Sequence, residues 1–241
     1  MTQPRIVEDM LHVSRHMNSN LRDCVSQHPE DFAKVHIDLN VLDEWVGYLK
    51  ENKKIEAVDV LQEATWDLFS SIYSAANGLY RTAFMSIRSA LELGISFLYF
   101  YDHNYNFLLW KKDMFDVKWA NLNDPTGNDK RDAIISPYYL QFFCPELDDK
   151  KQLFCDNIVS LYRKTSQYVH GKYNYMHTVD GTQITFNSNK YDEWRFTFNE
   201  VVKALVLLLI IRFKIPRDFQ PESIDQIKEM TKEFDEVWRH E

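Results

Sequence analysis

The two residues with the most chemistry between them are Arg163 and His170, separated by six others in the run LYRKTSQYVHG. An arginine carries a permanent charge and a forked set of donors that match a phosphate. A histidine titrates near neutrality and can give or take a proton. Together they suit metal-independent RNA cleavage, in which a ribose 2′-OH attacks the adjacent phosphate. Helical spacing aligns them. Leu147, Phe154, Leu161 and Tyr168, reinforced by Ile158 and Thr165, form an apolar stripe, and Asp156, Arg163 and His170 each follow one of these by two residues. Two residues turn an α-helix by about 200°, so a polar face opposite the core reads Asp156, Ser160, Arg163, Gln167, His170. Arg163 and His170 then lie about two turns, or ~10.5 Å, apart along the axis. Any helix packed on one side shows solvent a polar stripe on the other, and spacing alone leaves that reading open.

Other constellations are smaller. Arg88 and Glu92 stand four apart on a strongly apolar segment. They read as an ion pair offsetting its own desolvation, or as a pair that orients Arg163 or His170. Lys164 is a second cation beside Arg163, and Tyr173 and Tyr175 offer rings for base stacking. Lys111 and Lys112 follow Trp110 in a stretch that reads as solvated surface. His12 and His16 have the four-residue spacing of metal ligands, but no carboxylate or cysteine pattern completes a set. The three cysteines, Cys24, Cys144 and Cys155, form no CxxC pair and read as free thiols. Walker loop, GxSxG elbow and GxGxxG turn are all missing from the sequence. We therefore expect no cofactor and no metal.

These residues need elements to hold them, and composition indicates helices. The 241-residue chain has only 6 Gly and 7 Pro, too few for the many turns of an all-β protein, and 45% hydrophobic residues. Its net charge of −8 disfavours broad nonspecific binding to duplex nucleic acid but leaves room for a local basic site. Ile6, Met10, Val13, Met17 and Leu21 mark one face of a first helix. A second begins near Pro29 and turns Val41, Leu42, Trp45, Val46 and Leu49 inward. A third stretch, Ile55 to Asn77, carries Val58, Leu61, Trp66, Phe69 and Tyr73. Asn77-Gly78 signals a turn, and Leu79 to Tyr101 is apolar nearly all round, as the central helix of a bundle would be. Asn121 to Arg131 reads as an exposed loop. Pro145 opens a helix that runs to about His170, with Gly171 as its C-cap. A small β-hairpin is expected within His177 to Phe186, around Asp180-Gly181. Helix resumes from about Asp192 to Phe213, and a last helix covers Glu222 to Arg239. The apolar run Val201 to Phe213 is too short to span a bilayer, and Met1 to Asp9 lacks a signal-peptide apolar region. We expect one all-α domain over residues 1–241, located in the cytoplasm and not in a membrane.

The segment Arg163 to His170 resembles the R-x(4–6)-H motif of the HEPN superfamily. The preceding stretch NGLYRTAFMSIRSALELGISFLYF is similar to the long central helix of such proteins, and together these segments imply a HEPN-like core at about 55–214. The resemblance implies a helical bundle in which Arg163 and His170 are catalytic. It implies supporting roles for Asp156, Gln167, Arg88 and Glu92, and contact with RNA by Lys164 and Tyr173. Ribonuclease members pair as homodimers with a composite cleft and occur as toxins, CRISPR-associated effectors and phage-defence proteins. An RNA substrate, a second copy and an antitoxin or other protein partner are the partners it implies. Other members are noncatalytic modules that bind a nucleotide or a protein.

Overall fold

The computed structural model describes residues 3–124, 132–176 and 184–238. In chain order the helices are α1 (Gln3–Gln27), α2 (Pro29–Glu51), α3 (Val58–Ala76), α4 (Tyr80–Asp102), α5 (Asn104–Trp110), α6 (Trp119–Leu122), α7 (Pro137–Phe143), α8 (Lys150–Val169), α9 (Ser188–Phe213) and α10 (Pro221–Thr231). The all-α expectation holds: among the described residues there is no strand, only an isolated parallel bridge between Asn123 and Ile135. Most of the expected hairpin, residues 177–183, lies outside the described residues, and Ile184 to Phe186 form no strand. Of the expected loop at 121–131, Asn121 and Leu122 close α6, while 125–131 are likewise outside the described residues.

The bundle is organised around α4, which packs against α3, α8 and α9. Small residues let the backbones approach: Ala64, Ser71 and Ala75 on α3 are fully buried, as are Ala83 and Ala90 on α4. Gly94 brings α9 close: the Leu205 side chain lies where a Cβ would stand, so a larger residue there would have to displace it. The polar groups of this junction are satisfied in sequence. Trp194 Nε1 donates to Ser71 Oγ at 2.8 Å, and Ser71 Oγ donates to the Ala83 carbonyl at 2.8 Å. Among the described residues, α4 is the one helix long and apolar enough to cross a membrane, but 67% of its most apolar window is buried inside the bundle. The Val201–Ile211 part of α9 is buried except at Lys203, which meets Glu200 at 2.8 Å and Glu233 at 3.2 Å.

Turn chemistry places the helix ends. Gly78 adopts φ +79° with the Thr185 carbonyl pressed against it, and Gly171 adopts φ +58° just past α8. Ser136 Oγ accepts from the Tyr139 N–H at 3.2 Å to cap α7, and Asn187 accepts from the Lys190 N–H at 3.1 Å to cap α9. Two helices are shorter than their sequence pattern. The helix expected from Pro145 is a 3-10 turn, Pro145–Leu147, cut from α8 by Asp148 at φ 21°. The last helix stops at Thr231 and continues as 3-10 turns through Trp238, with Phe234 at non-helical angles. There tertiary contacts override the 3.6-residue pattern. Phe234 packs on Phe154 at 5.5 Å, while Lys150 donates to the Glu233 carbonyl at 2.7 Å and pairs with Glu236 at 2.7 Å.

Candidate functional site on helix α8

Helix α8 is held by its apolar face. Phe154, Ile158, Thr165 and Tyr168 are buried, and Tyr168 stacks on Phe84 of α4 with centroids 3.9 Å apart. The opposite face is the one expected: Asp156, Ser160, Arg163 and His170 are exposed and Gln167 is half-buried. Among the described residues Arg163 makes no hydrogen bond or ion pair, and neither does the His170 ring. The His170 backbone N–H donates to the Ser166 carbonyl at 3.0 Å, which places the imidazole at the C-terminal cap, directly before Gly171. Asp156 Oδ1 accepts from Gln152 Nε2 at 3.1 Å. Tyr173, in the short turn after the cap, is 76% exposed.

The remaining candidates are used internally. Lys164 faces α9, where it pairs with Glu193 at 3.3 Å and lies 5.9 Å from the Phe84 ring centre. It does not share the face of Arg163. Arg88 pairs with Glu92, donates from Nε to Ser166 Oγ at 2.9 Å, and stacks over the Tyr162 ring at 3.8 Å. These contacts join α4 to α8, and neither Arg163 nor His170 is among their partners. The pair therefore orients the helix as a whole, through Ser166, and does not touch the two site residues.

The structure adds a cleft that sequence spacing did not reveal. An open cavity of about 260 Å³ lies between the starts of α4 and α9 and the end of α8, lined by Tyr80, Arg81, Phe84, Tyr168, Lys190 and Glu193, with Asn174 to Met176 at its edge. Arg81 donates from Nε to the Tyr168 carbonyl at 3.0 Å, covering the negative end of α8. Burial lowers the pKa of Lys190, opposed by the nearby Glu193 carboxylate. Burial also raises the Tyr168 hydroxyl, helped by Glu193, which accepts its hydrogen bond at 3.5 Å. Cations beside aromatic rings suit an anionic ligand with a planar ring. Arg163 and His170 do not line this cleft. Tyr168 and His170 point to opposite sides of the same turn, so stripe and cleft are two surfaces on the two flanks of one helix end.

Away from α8, His28, Asp31 and Asp192 bring ligand atoms within 4.8 Å of one another. Arg195 already bridges the two carboxylates, at 2.9 Å to Asp31 and 3.4 Å to Asp192. His28 Nε2 meets Ser188 Oγ at 2.7 Å. A guanidinium thus occupies the place a cation would take. His16, one of the spaced pair on α1, contacts the Ile184 carbonyl through Nε2 at 2.6 Å. All three cysteines are free and buried, and desolvation pushes the thiol pKa of Cys24 up to about 11 and that of Cys155 up to about 12.

Comparison with protein-family models, curated proteins and solved structures finds no match to this chain. The HEPN resemblance rests on the motif residues themselves.

Proposed function

We propose that this chain is a metal-independent endoribonuclease of the toxin or phage-defence kind, in which Arg163 holds the scissile phosphate and His170 moves a proton. One observation carries this reading. Arg163 and His170 are exposed on one face of α8, with no side-chain hydrogen bond or ion pair among the described residues, whereas the neighbouring cations Lys164 and Arg88 are tied to carboxylates. An arginine without an internal partner keeps its five donors for a ligand. In the cleavage a base takes the 2′-OH proton and the 2′-oxygen bonds to phosphorus. The 5′-oxygen then leaves and accepts a proton, giving a 2′,3′-cyclic phosphate and a 5′-hydroxyl. His170 supplies one of the two transfers, and in a homodimer the second copy supplies the other. A neutralising protein partner would cover the same stripe. The test is to incubate purified protein with single-stranded RNA in excess chelator and to analyse the product ends. We expect cyclic phosphate ends and no loss of rate on chelation. Ends bearing 5′-phosphate, or cleavage that stops on chelation, would overturn the mechanism.

A second reading, a noncatalytic module that binds a nucleotide, is favoured by the cleft, whose cations and rings exclude both motif residues. Loss of mononucleotide binding in Arg81→Ala, with binding intact in Arg163→Ala, would favour the module.

A further inference from the structure

The N-terminal half of α1 is a helix without a core. From Arg5 to Arg15 every residue is exposed, including Ile6, Val7, Met10, Leu11 and Val13, with Met10 at 70%. The C-terminal half of the same helix is anchored: Asn20 Nδ2 reaches the carbonyls of Asn77 at 3.0 Å and Ile184 at 3.1 Å, and Cys24 is fully buried. At 100° per residue, Cys24, Asn20, Met17, Val13, Met10 and Ile6 all fall on one face. The face that docks α1 onto the bundle therefore runs on past the bundle, and from Arg5 to Arg15 it stays exposed with no buried contact among the described residues. A dozen helical residues alone in water are marginal, and this segment needs a surface on which to bury its stripe.

We propose that this surface is the same segment of a second copy, packed antiparallel across a two-fold axis. The stripe Ile6, Met10, Val13, Met17 is spaced 4, 3 and 4, which reads the same in both directions. Reversal places Met10 against Val13 and Ile6 against Met17, twice over, as an isologous contact requires. Pairing two such faces removes on the order of 1,000 Å² from water, the threshold for a specific interface. The polar side of the segment holds Arg5 and Arg15 against Glu8 and Asp9, so it lacks the excess positive charge that an anionic lipid surface or RNA would select. The proposal is independent of the ribonuclease reading, since it involves no residue of α8.

The test is sedimentation velocity of the full chain beside the double variant Met10→Glu/Val13→Glu, with a melting curve for each. We expect the parent to be a dimer at micromolar concentration. We expect the variant to be a monomer that melts as the core does, because the replaced side chains are exposed. A second measurement fixes direction. Oxidising a mixture of Ile6→Cys and Met17→Cys proteins should give the mixed disulfide, and Ile6→Cys alone should give little. A monomeric parent, a dimer that survives the double substitution, or efficient self-linking of Ile6→Cys would each overturn the proposal. A segment that instead binds anionic vesicles while the protein stays monomeric would do the same.

Discussion

Asp38 is only 2% exposed between α2 and α10, where Lys34 lies 3.6 Å away and Gln226 donates at 2.5 Å. Burial raises its pKa above the ordinary aspartate value, and Lys34 and Gln226 only partly oppose the shift. The sign follows directly. An acid whose folded pKa is raised costs the folded state when ionised, and that cost is relieved as pH falls through the raised value. Asp38→Asn should therefore raise the melting temperature at pH 7 by about 2–4 °C, the equivalent of ~1 kcal/mol in a chain of this size. The gain should shrink as pH approaches the ordinary aspartate range. Thermal melts across pH check this, and a variant that melts lower at pH 7 would mean that the Lys34 pair outweighs desolvation. At this scale the stripe Asp156, Ser160, Arg163, Gln167, His170 was legible, because residue type and helical phase together decide exposure. The fate of Lys164 was not. One residue from Arg163 is a 100° rotation, and only the fold shows that Glu193 waits on that side.

Among the elements, the helices with long apolar stripes were readable, as were the glycine turns at Gly78 and Gly171. The packing faces were less so. On α3, Trp66, Phe69 and Tyr73 are 56%, 38% and 39% exposed. Ser71, which donates to the Ala83 carbonyl of α4, shares its helical face with the fully buried Ala64 and Ala75, because close approach demands small side chains and hydrophobic spacing weights large ones. The same closeness governs α4 and α9 at Gly94, whose Cβ position lies 2.5 Å from a Leu205 methyl. Gly94→Val should destabilise by about 1–3 kcal/mol through overpacking, seen as a lower melting temperature. Adding Leu205→Ala should recover part of the loss. A Gly94→Val protein that melts like the parent would contradict the tight α4–α9 contact.

For the whole molecule, low glycine and proline content made the all-α class legible from composition. The cleft beside α8 was not, since Arg81, Tyr168 and Lys190 come from three helices far apart in sequence, and no spacing rule links them. With a net charge of −8, the proposed ribonuclease would have to hold RNA by a few local cations. Arg163 is then worth more than its single charge, and its fork is not reproduced by lysine. The most direct measurement of the central claim is the RNA cleavage rate of the parent and of His170→Ala, each with its own melting curve. An exposed substitution should change stability by about 0.5 kcal/mol or less. Loss of a positioned acid or base should lower the rate by roughly 10²-fold or more. We predict matched melting curves with that loss of cleavage. Matched melting curves with equal cleavage, or a parent that leaves RNA intact, would contradict the assignment of Arg163 and His170 as catalytic residues.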